Sequence, residues 1–242
     1  MKTFKQYTTE KALNLVFGIQ NMNKDEEINF ELLKKNKKHI PKFMKDLEKM
    51  GDSQILFRGF ESHREPLILV SSFKNKKHEW YGIDSTGSSI DQNLKDLMKK
   101  MVHDDLKIKD PTFVSRNSMN AGHFGNFHLF VPRGKANYFH NPMINDLLQD
   151  MMFKFDHSDP SEYEDIVERS AKTYKKSSKP PSGEINEIMV DCKEYWLIGE
   201  KLLRAIKPIN HDFNYRKYTK YTTTYKELYD SLKLIIEKYD LK

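Results

Sequence analysis

Apolar residues recur at the spacing of an α-helix in several parts of the chain. From Ser89 to His103 they form one continuous stripe, and Asp91 in the first turn suits the positive end of a helix dipole. A similar pattern from Phe30 to Met50 is interrupted by Pro41, which predicts two helical pieces ended by Gly51. The Ser89 stripe consists of Ile90, Leu94, Leu97, Met98 and Met101.

The second half of the chain contains two further helix signals of the same kind. Asn141 and Asp159 each precede a proline, and Asn or Asp can cap a helix whose first turn contains proline. A short helix is also predicted around Leu202, and a terminal one from Leu228 to Ile236. The two capped stripes consist of Ile144, Leu147, Leu148, Met151 and Met152, and of Tyr163, Ile166, Val167, Ala171 and Tyr174.

Shorter apolar runs between these helices are typical of strands, because Val, Ile, Leu and Phe suit a buried sheet. In chain order they are QILFRGF, PLILVSSF, PTFVS, NFHLFVP, EIMVD and EYWLI. The small, polar link RNSMNAGHFG separates the third from the fourth, and the loop KKSSKPPSG precedes the fifth.

The order of these elements indicates the fold class. Helices and strands are mixed without regular βαβ alternation, which predicts an α+β fold with helices packed on a mostly antiparallel sheet. We expect one compact domain with a core over residues 51–200, an N-terminal helical region over 1–50 and a C-terminal helical extension over 201–242.

Composition supports a globular protein of a reducing compartment. The 242 residues include 38% hydrophobic and 12% aromatic side chains, as in a folded domain. Cys192 is the single cysteine, so no disulfide can form within the chain, and a cytoplasmic location is expected. We predict neither a membrane span nor a cleaved signal, because no apolar run approaches the roughly 18 residues that a span needs.

The net charge of +6 suits an anionic ligand and suits ordinary solubility equally well. The lysine-rich runs LKKNKKHIPK and TYKKSSK are typical of solvated faces. The segment YRKYTKYTTTYKELY interleaves basic residues with tyrosines, a composition of nucleic-acid contacts and also of an amphipathic helix that buries its rings.

Three polar residues interrupt or end apolar strands: Arg58 in ILFRGF, Ser115 in TFVSRN and Glu187 in NEIMV. If these strands share one core, the three side chains can line one cleft, where a charged group needs partners to offset its desolvation. Taken singly, each has an ordinary structural explanation: a surface ion pair, a hydrogen bond to the local backbone, and a solvated strand start.

The ordered set of motifs resembles the NAD-dependent ADP-ribosyltransferases of the arginine-serine-glutamate type, including those encoded by tailed bacteriophages. FRG lies on an early strand, FVS is followed by AGHFG and the strand FHLFVPRG, and a glutamate opens the hairpin EIMVDCKEYWLI. The resemblance extends from about Ile55 to Ile198 and implies a split, mostly antiparallel sheet core.

The resemblance also assigns roles to residues. Glu187 stabilises the positive charge that develops on the ribose when nicotinamide leaves, as carboxylates do in glycoside hydrolysis. Ser115 holds that carboxylate in place, and Arg58 binds phosphate or ribose oxygens with its planar fork of donors. Gly59 lets the backbone approach the nicotinamide amide. Phe124 is the candidate aromatic over the nicotinamide ring, with Tyr138 behind it.

Two features depart from the family pattern. Ile185 occupies the position, two residues before the catalytic glutamate, where the family often has Glu or Gln that helps to select the acceptor. Glu184 and Ile185 are therefore expected in the acceptor loop, and Glu184 is an alternative to Glu187 as the catalytic carboxylate. The serine position reads SRN, and DSTGSS over 84–89 is a rival to Ser115.

The resemblance implies a mono-ADP-ribosyltransferase that uses NAD as co-substrate without a metal. His123, His128 and His140 do not show a recognised ligand spacing. The expected acceptor is a host protein, with nucleic acid as the alternative, modified in the host cytoplasm by a phage-encoded enzyme. A non-catalytic nucleic-acid-binding or virion protein with the same fold is the rival hypothesis from another class.

Overall fold

The computed structural model describes residues 33–34, 37–60, 69–71, 92–109, 111–116, 121, 126–144, 146–182, 187–199 and 224–238, and the statements below concern these residues. The helices are α1 (Ile40–Met50), α2 (Gln92–Lys99), α3 (Leu147–Asp156), α4 (Tyr163–Thr173) and α5 (Tyr225–Lys238). The strands are β1 (Leu56–Phe60), β2 (Leu69–Ser71), β3 (Pro111–Val114), β4 (Asn126–Arg133), β5 (Asn137–His140), β6 (Lys175–Ser177), β7 (Ile188–Asp191) and β8 (Glu194–Gly199).

The strands form two four-stranded sheets. Sheet 1 has the order β1-β4-β8-β2 and sheet 2 the order β3-β7-β5-β6. Every strand pair is antiparallel. The expected α+β class with antiparallel sheets and packed helices is therefore confirmed.

The two sheets meet at one bridge between β1 and the residue that follows β3. The Phe57 amide donates to the Ser115 carbonyl over 2.7 Å, and the Ser115 amide donates to the Phe57 carbonyl over 2.8 Å. This bridge sets the edge of sheet 1 against the end of sheet 2.

One core is built around sheet 1 and the face of sheet 2 that is turned toward it. Trp196 packs edge-to-face on Phe43 of α1 and donates from its indole to Asp46 over 3.0 Å. Tyr225 of α5 is fully buried, and its hydroxyl accepts from the Leu56 amide and donates to the Phe130 carbonyl. The C-terminal helix therefore belongs to this core.

The second core covers the other face of sheet 2. Side chains alternate between the faces of a strand, so Met189 of β7 points to the second core while Ile188 and Val190 point to the first. Helices α2, α3 and α4 close the second core with mainly aliphatic side chains. They include Leu97, Met98, Leu147, Met151, Phe155, Ile166 and Val167.

The helix predicted to begin at Asn141-Pro142 begins later, at Leu147. The Asn141 side chain accepts from the Met143 amide and closes a local turn. Asn141 therefore stabilises this turn and does not cap the helix. Asp146 is the actual cap and accepts from the Gln149 amide over 3.0 Å. The prediction at Asp159-Pro160 is confirmed, because Asp159 caps a short 3₁₀ turn over Pro160–Glu162 that leads into α4.

Two strands of sheet 2 were absent from the sequence-based prediction. β5 and β6 are short, and β6 begins the KKSSKPPSG segment, for which the sequence predicts a loop. Its two exposed lysines carry no apolar alternation, so only pairing with β5 identifies it. Gly51 ends α1 with φ of 53°, as predicted, and the helix expected around Leu202 lies outside the described residues.

The helix predicted from Ser89 to His103 is present in its described part. Helix α2 continues through a π-helical turn over Lys100–Asp105, and Leu94, Leu97, Met98 and Met101 of the predicted stripe are buried. Pro41 lies in the first turn of α1 and does not divide it, because a proline there interrupts no helical hydrogen bond. Within the described residues, no helix has both the length and the apolar character for a membrane span.

Candidate functional site

Ser115 and Glu187 occupy matching positions at the ends of two paired strands. The register of β3 and β7 pairs Val114 with Ile188. Continuing that register by one residue in each strand sets Ser115 opposite Glu187. Because cross-strand partners share a face, the two side chains lie on the same side of sheet 2.

Arg58 reaches the same junction from sheet 1. It follows Phe57, whose backbone bridges Ser115. Arg58 and Glu187 are about 130 residues apart in the sequence and lie at the same strand junction. Ser115 itself is only 5% exposed and is held by two backbone hydrogen bonds to Phe57. The structure therefore brings the three backbone positions together.

The Arg58 side chain points into the space between the sheets. Its Nη1 donates to the Tyr195 hydroxyl over 2.6 Å and to the Thr112 hydroxyl over 3.3 Å. The guanidinium carbon lies 5.1 Å from the centre of the Tyr195 ring, a cation–π distance. Arg58 thus connects β8 of sheet 1 to β3 of sheet 2.

The Glu187 carboxylate points toward α3. It is partly buried and accepts from the Leu147 amide at the first position of that helix over 3.2 Å. Burial, together with the neighbouring charge of Asp146, raises the pKa of Glu187 to about 8, although the hydrogen bond from the Leu147 amide lowers it. A helix N-terminus favours the ionised form of a carboxyl group. At Glu187 the loss of hydration and the second carboxylate outweigh this effect, so the net pKa is raised.

Tyr174, immediately after α4, faces the same acidic group. Burial raises its pKa, and the charges of Glu187, Asp150 and Asp146 add to the rise. An ionised tyrosine beside three carboxylates is unfavourable, so its hydroxyl stays protonated. Glu187 therefore lies near Asp146 and the Tyr174 phenol, and Asp150, which also acts on Tyr174, is paired with Lys154 over 2.6 Å.

The expectation that the three candidate side chains line one cleft is wrong, because they divide between the two faces of the β3–β7 pair. Thr112, which contacts Arg58, alternates with Phe113, which packs against the second core. Ser115 and Glu187 share the Phe113 face, whereas Arg58 lies on the Thr112 face. A ligand that contacts both the guanidinium and the carboxylate must pass around the ends of these strands.

The remaining candidates have different settings. Gly59 lies in β1 and pairs with Phe127. Tyr138 is buried in the first core, 2% exposed, with its hydroxyl 3.7 Å from the Met50 sulfur, and burial raises its pKa. Phe124, Glu184 and Ile185 lie outside the described residues.

Sequence reasoning missed several groups that set the chemistry of this junction. Asp146 carries a readable signal, since Asp before an apolar helical run is a typical cap, but the Asn141-Pro142 signal took precedence. Tyr195 and Thr112 carry none, because Tyr195 comes near Arg58 only when β8 joins sheet 1, and Thr112 only when the two sheets pack. The described residues contain no group of three side chains suited to hold a metal ion.

Comparison with known proteins identifies no relative. The chain matches no protein-family model, and neither curated proteins nor solved structures give a significant match.

Proposed function

We propose that the protein is a mono-ADP-ribosyltransferase that moves ADP-ribose from NAD to a macromolecular acceptor. The observation that carries the proposal is the junction of β1, β3 and β7, where the backbones of Arg58, Ser115 and Glu187 come together and Ser115 and Glu187 share one face.

The reaction breaks the bond between ribose C1′ and nicotinamide, and the electron pair leaves with nicotinamide. The acceptor nucleophile then bonds to C1′ and releases its proton to solvent. Positive charge develops on the ribose in the transition state, and an ionised carboxylate beside the ring lowers its energy. Glu187 supplies that charge, and Ser115 lies opposite it on the same face to hold it in position.

The raised pKa of Glu187 has a direct consequence for this role. Only the ionised carboxylate opposes the ribosyl cation, and ionisation is half complete at about pH 8. NAD cleavage should therefore increase as the pH rises through that value.

Arg58 binds the phosphates of NAD in this proposal. Its guanidinium offers five donors in a rigid fork that matches phosphate oxygens. Binding requires the guanidinium to exchange Tyr195 and Thr112 for the ligand, and both present partners are neutral hydroxyls. A charged acceptor forms the stronger hydrogen bond with the guanidinium, and this difference favours the exchange.

The proposed acceptor is a protein of the host of a phage that encodes the enzyme, modified in the host cytoplasm. This part rests on the motif resemblance. Incubation of the protein with NAD labelled in the adenosine moiety and a bacterial lysate tests it, followed by separate protease and nuclease treatment. Loss of macromolecular label after protease alone supports a protein acceptor, and loss after nuclease alone identifies nucleic acid.

Glu187→Gln tests the catalytic assignment. The amide keeps the shape of the side chain and removes its charge, so NAD cleavage should fall by about a hundredfold or more. Glu194→Gln is the matched control. Glu194 lies away from the junction and forms an ion pair with Arg133 at a distance of 2.7 Å. Full nicotinamide release by Glu187→Gln beside an inactive Glu184→Gln would transfer the role to Glu184.

One observation favours a second candidate, a non-catalytic nucleic-acid-binding protein. Arg58 and Glu187 both have structural partners, one joining the sheets and the other contacting α3. A protein with purely structural roles for both residues would not bind NAD, and its net positive charge would give it a strongly salt-dependent affinity for DNA or RNA. Calorimetry with NAD and a salt titration with an oligonucleotide distinguish the two candidates.

A further inference from the structure

Three basic side chains from separate strands collect at one end of sheet 2: Arg116, His140 and Lys175. Arg116 follows Ser115 at the end of β3, His140 ends β5 and Lys175 begins β6. None of the three was assigned a role by the transferase motifs. Arg116 directly follows Ser115 of the candidate junction, but the group shares no side chain with that junction.

The strand register places these residues on one face. His140 pairs directly with Lys175 across the antiparallel β5–β6 ladder. Two residues before His140, Tyr138 points into the first core, so His140 faces the same side. Arg116 stands two residues after Val114, which also points into the first core. All three side chains are therefore directed toward the same side of sheet 2.

The positive charges of Arg116 and Lys175 repel the protonated form of His140, and no described carboxylate offsets this repulsion. Burial lowers the pKa of His140, and the charges of Lys175 and Arg116 lower it further. Among the described residues no carboxylate raises it. The His140 Nδ1 atom is also buried without a hydrogen-bond partner in this part of the chain. Clustered like charges and a buried, unpaired polar nitrogen both destabilise a fold unless a ligand offsets them.

The backbone around the group is well fixed. The Asn141 side chain donates to the Thr173 hydroxyl and accepts from the Met143 amide. Asn141 follows His140, and Thr173 lies two residues before Lys175, so this hydrogen bond ties the ends of β5 and β6 together. A fixed framework lowers the entropy that these side chains lose when they bind a ligand.

We infer that Arg116, His140 and Lys175 bind a phosphate group of a ligand. The guanidinium supplies a planar fork of donors, the ammonium a compact positive charge, and the imidazole a buried nitrogen that donates once protonated. The diphosphate of NAD and the backbone of a nucleic acid share this chemistry, and either can be the source. This site goes beyond the proposed transferase function, because it requires no cleavage of NAD.

Binding should be coupled to protonation of His140. The charged and titratable neighbours that act on His140 among the described residues are Arg116 from β3 and Lys175 from β6. A bound dianion reverses their repulsion, raises the pKa of His140 and is itself held more tightly by the imidazolium. Affinity should therefore increase as the pH falls below the usual histidine range.

Lys176 provides a matched control on the same strand. Its ammonium lies 5.3 Å from the centre of the Phe139 ring, on the face opposite to Lys175. Lys175→Gln and Lys176→Gln remove the same charge from adjacent exposed positions. Only the first removes a group from the proposed site.

The test is an NMR titration of the His140 ring in the full chain with inorganic phosphate and with diphosphate, assigned by comparison with His140→Gln. We expect either anion to raise the His140 pKa, and Lys175→Gln to weaken diphosphate binding by about tenfold while Lys176→Gln leaves it unchanged. An unmoved His140 resonance, or equal losses in the two lysine variants, would overturn the site in favour of diffuse surface charge.

Competition distinguishes the two sources. Displacement of diphosphate by NAD assigns the site to the NAD diphosphate, and displacement by a short single-stranded oligonucleotide assigns it to a nucleic-acid backbone. The titration reads phosphate binding whether or not NAD is cleaved. Failure of the transferase proposal would therefore appear as inactive protein with an intact His140 response.

Discussion

Arg58 illustrates how one side chain can be both a structural link and a ligand contact. Its hydrogen bonds to Tyr195 and Thr112 join the two sheets, and the same donors suit a phosphate. The geometry is compatible with both roles for this side chain. The two roles can be separated by comparing a substitution of the arginine with a substitution of only its hydroxyl partner.

Arg58→Lys should weaken NAD binding by about tenfold, because a point ammonium cannot reproduce a bidentate fork. Tyr195→Phe should leave NAD affinity unchanged or stronger, because it removes a competing hydroxyl and keeps the arginine. Calorimetry measures both affinities. Loss of folding stability in both variants with equal NAD affinity would leave Arg58 with the structural role alone.

Glu187 should make the folding stability depend on pH in a defined direction. Its pKa is raised from 4.5 to about 8 in the folded protein, so between these values the folded protein retains a proton that the unfolded chain has released. The free energy of unfolding should therefore fall as the pH rises through this window.

Glu187→Gln removes this dependence, because glutamine keeps an oxygen for the Leu147 amide and has no charge to bury. Urea unfolding at about pH 5 and about pH 9 should show a gain for the variant at the higher pH only, of about 1 kcal/mol or more. An equal gain or loss at both pH values would contradict the raised pKa of Glu187. This readout is independent of NAD turnover.

At the scale of elements, helix α3 links the second core to the candidate site. Its first turn carries the Asp146 cap and the Leu147 amide that contacts Glu187. The buried side chains Leu147, Met151 and Phe155 hold the helix against sheet 2. The position of the carboxylate is therefore set by packing in a part of the chain about 40 residues away.

Asp146→Asn should separate the capping role of this residue from its charge. Asn caps a helix about as well as Asp, so stability should change by only a few tenths of a kcal/mol. Removing the charge lowers the pKa of Glu187, so the pH at which NAD cleavage is half-maximal should move downward by up to about one unit. Asp156→Asn, at the other end of α3, is the control and should leave the pH profile in place.

At the scale of the molecule, the two cores share sheet 2. Alternate residues of β7 enter different cores, so neither core can be disrupted without affecting the strand that both use. Helix α5 adds Tyr225, Leu228 and Leu232 to the first core. The Tyr225 hydroxyl accepts a hydrogen bond from the Leu56 amide in place of a strand carbonyl. Shared elements of this kind favour a single cooperative unfolding transition.

Met151→Ala tests that cooperativity. The side chain is fully buried in the second core, so the substitution should cost about 2–4 kcal/mol. Trp196 lies in the first core, and its fluorescence in a Trp80→Phe background should report the same loss. The neighbouring Met152 is 38% exposed, so Met152→Ala should cost much less. An unchanged Trp196 transition in Met151→Ala would mean that the cores unfold separately.

Local signals account for the parts of the structure that the sequence predicted. The cap at Asp159, the stop at Gly51, the buried stripe of α2 and the six apolar strand runs each depend on periodicity or turn chemistry within about ten residues. The site candidates were also named from local motifs. The backbone bridge between Phe57 and Ser115 brings them to one junction, and no local motif encodes that bridge.

The sequence by itself determined the α+β class, the principal helices and strands, and the positions of Arg58, Ser115 and Glu187 as polar residues that interrupt or flank strands, because these depend on short-range patterns. Tertiary structure alone decided that β6 pairs with β5, that Asp146 rather than Asn141 caps α3, and that Arg58 and Glu187 face opposite sides of the β3–β7 pair. It also decided the cluster of Arg116, His140 and Lys175. The physical reason is that pairing partners, burial and electrostatic neighbours come from residues distant in sequence, and no local pattern encodes them.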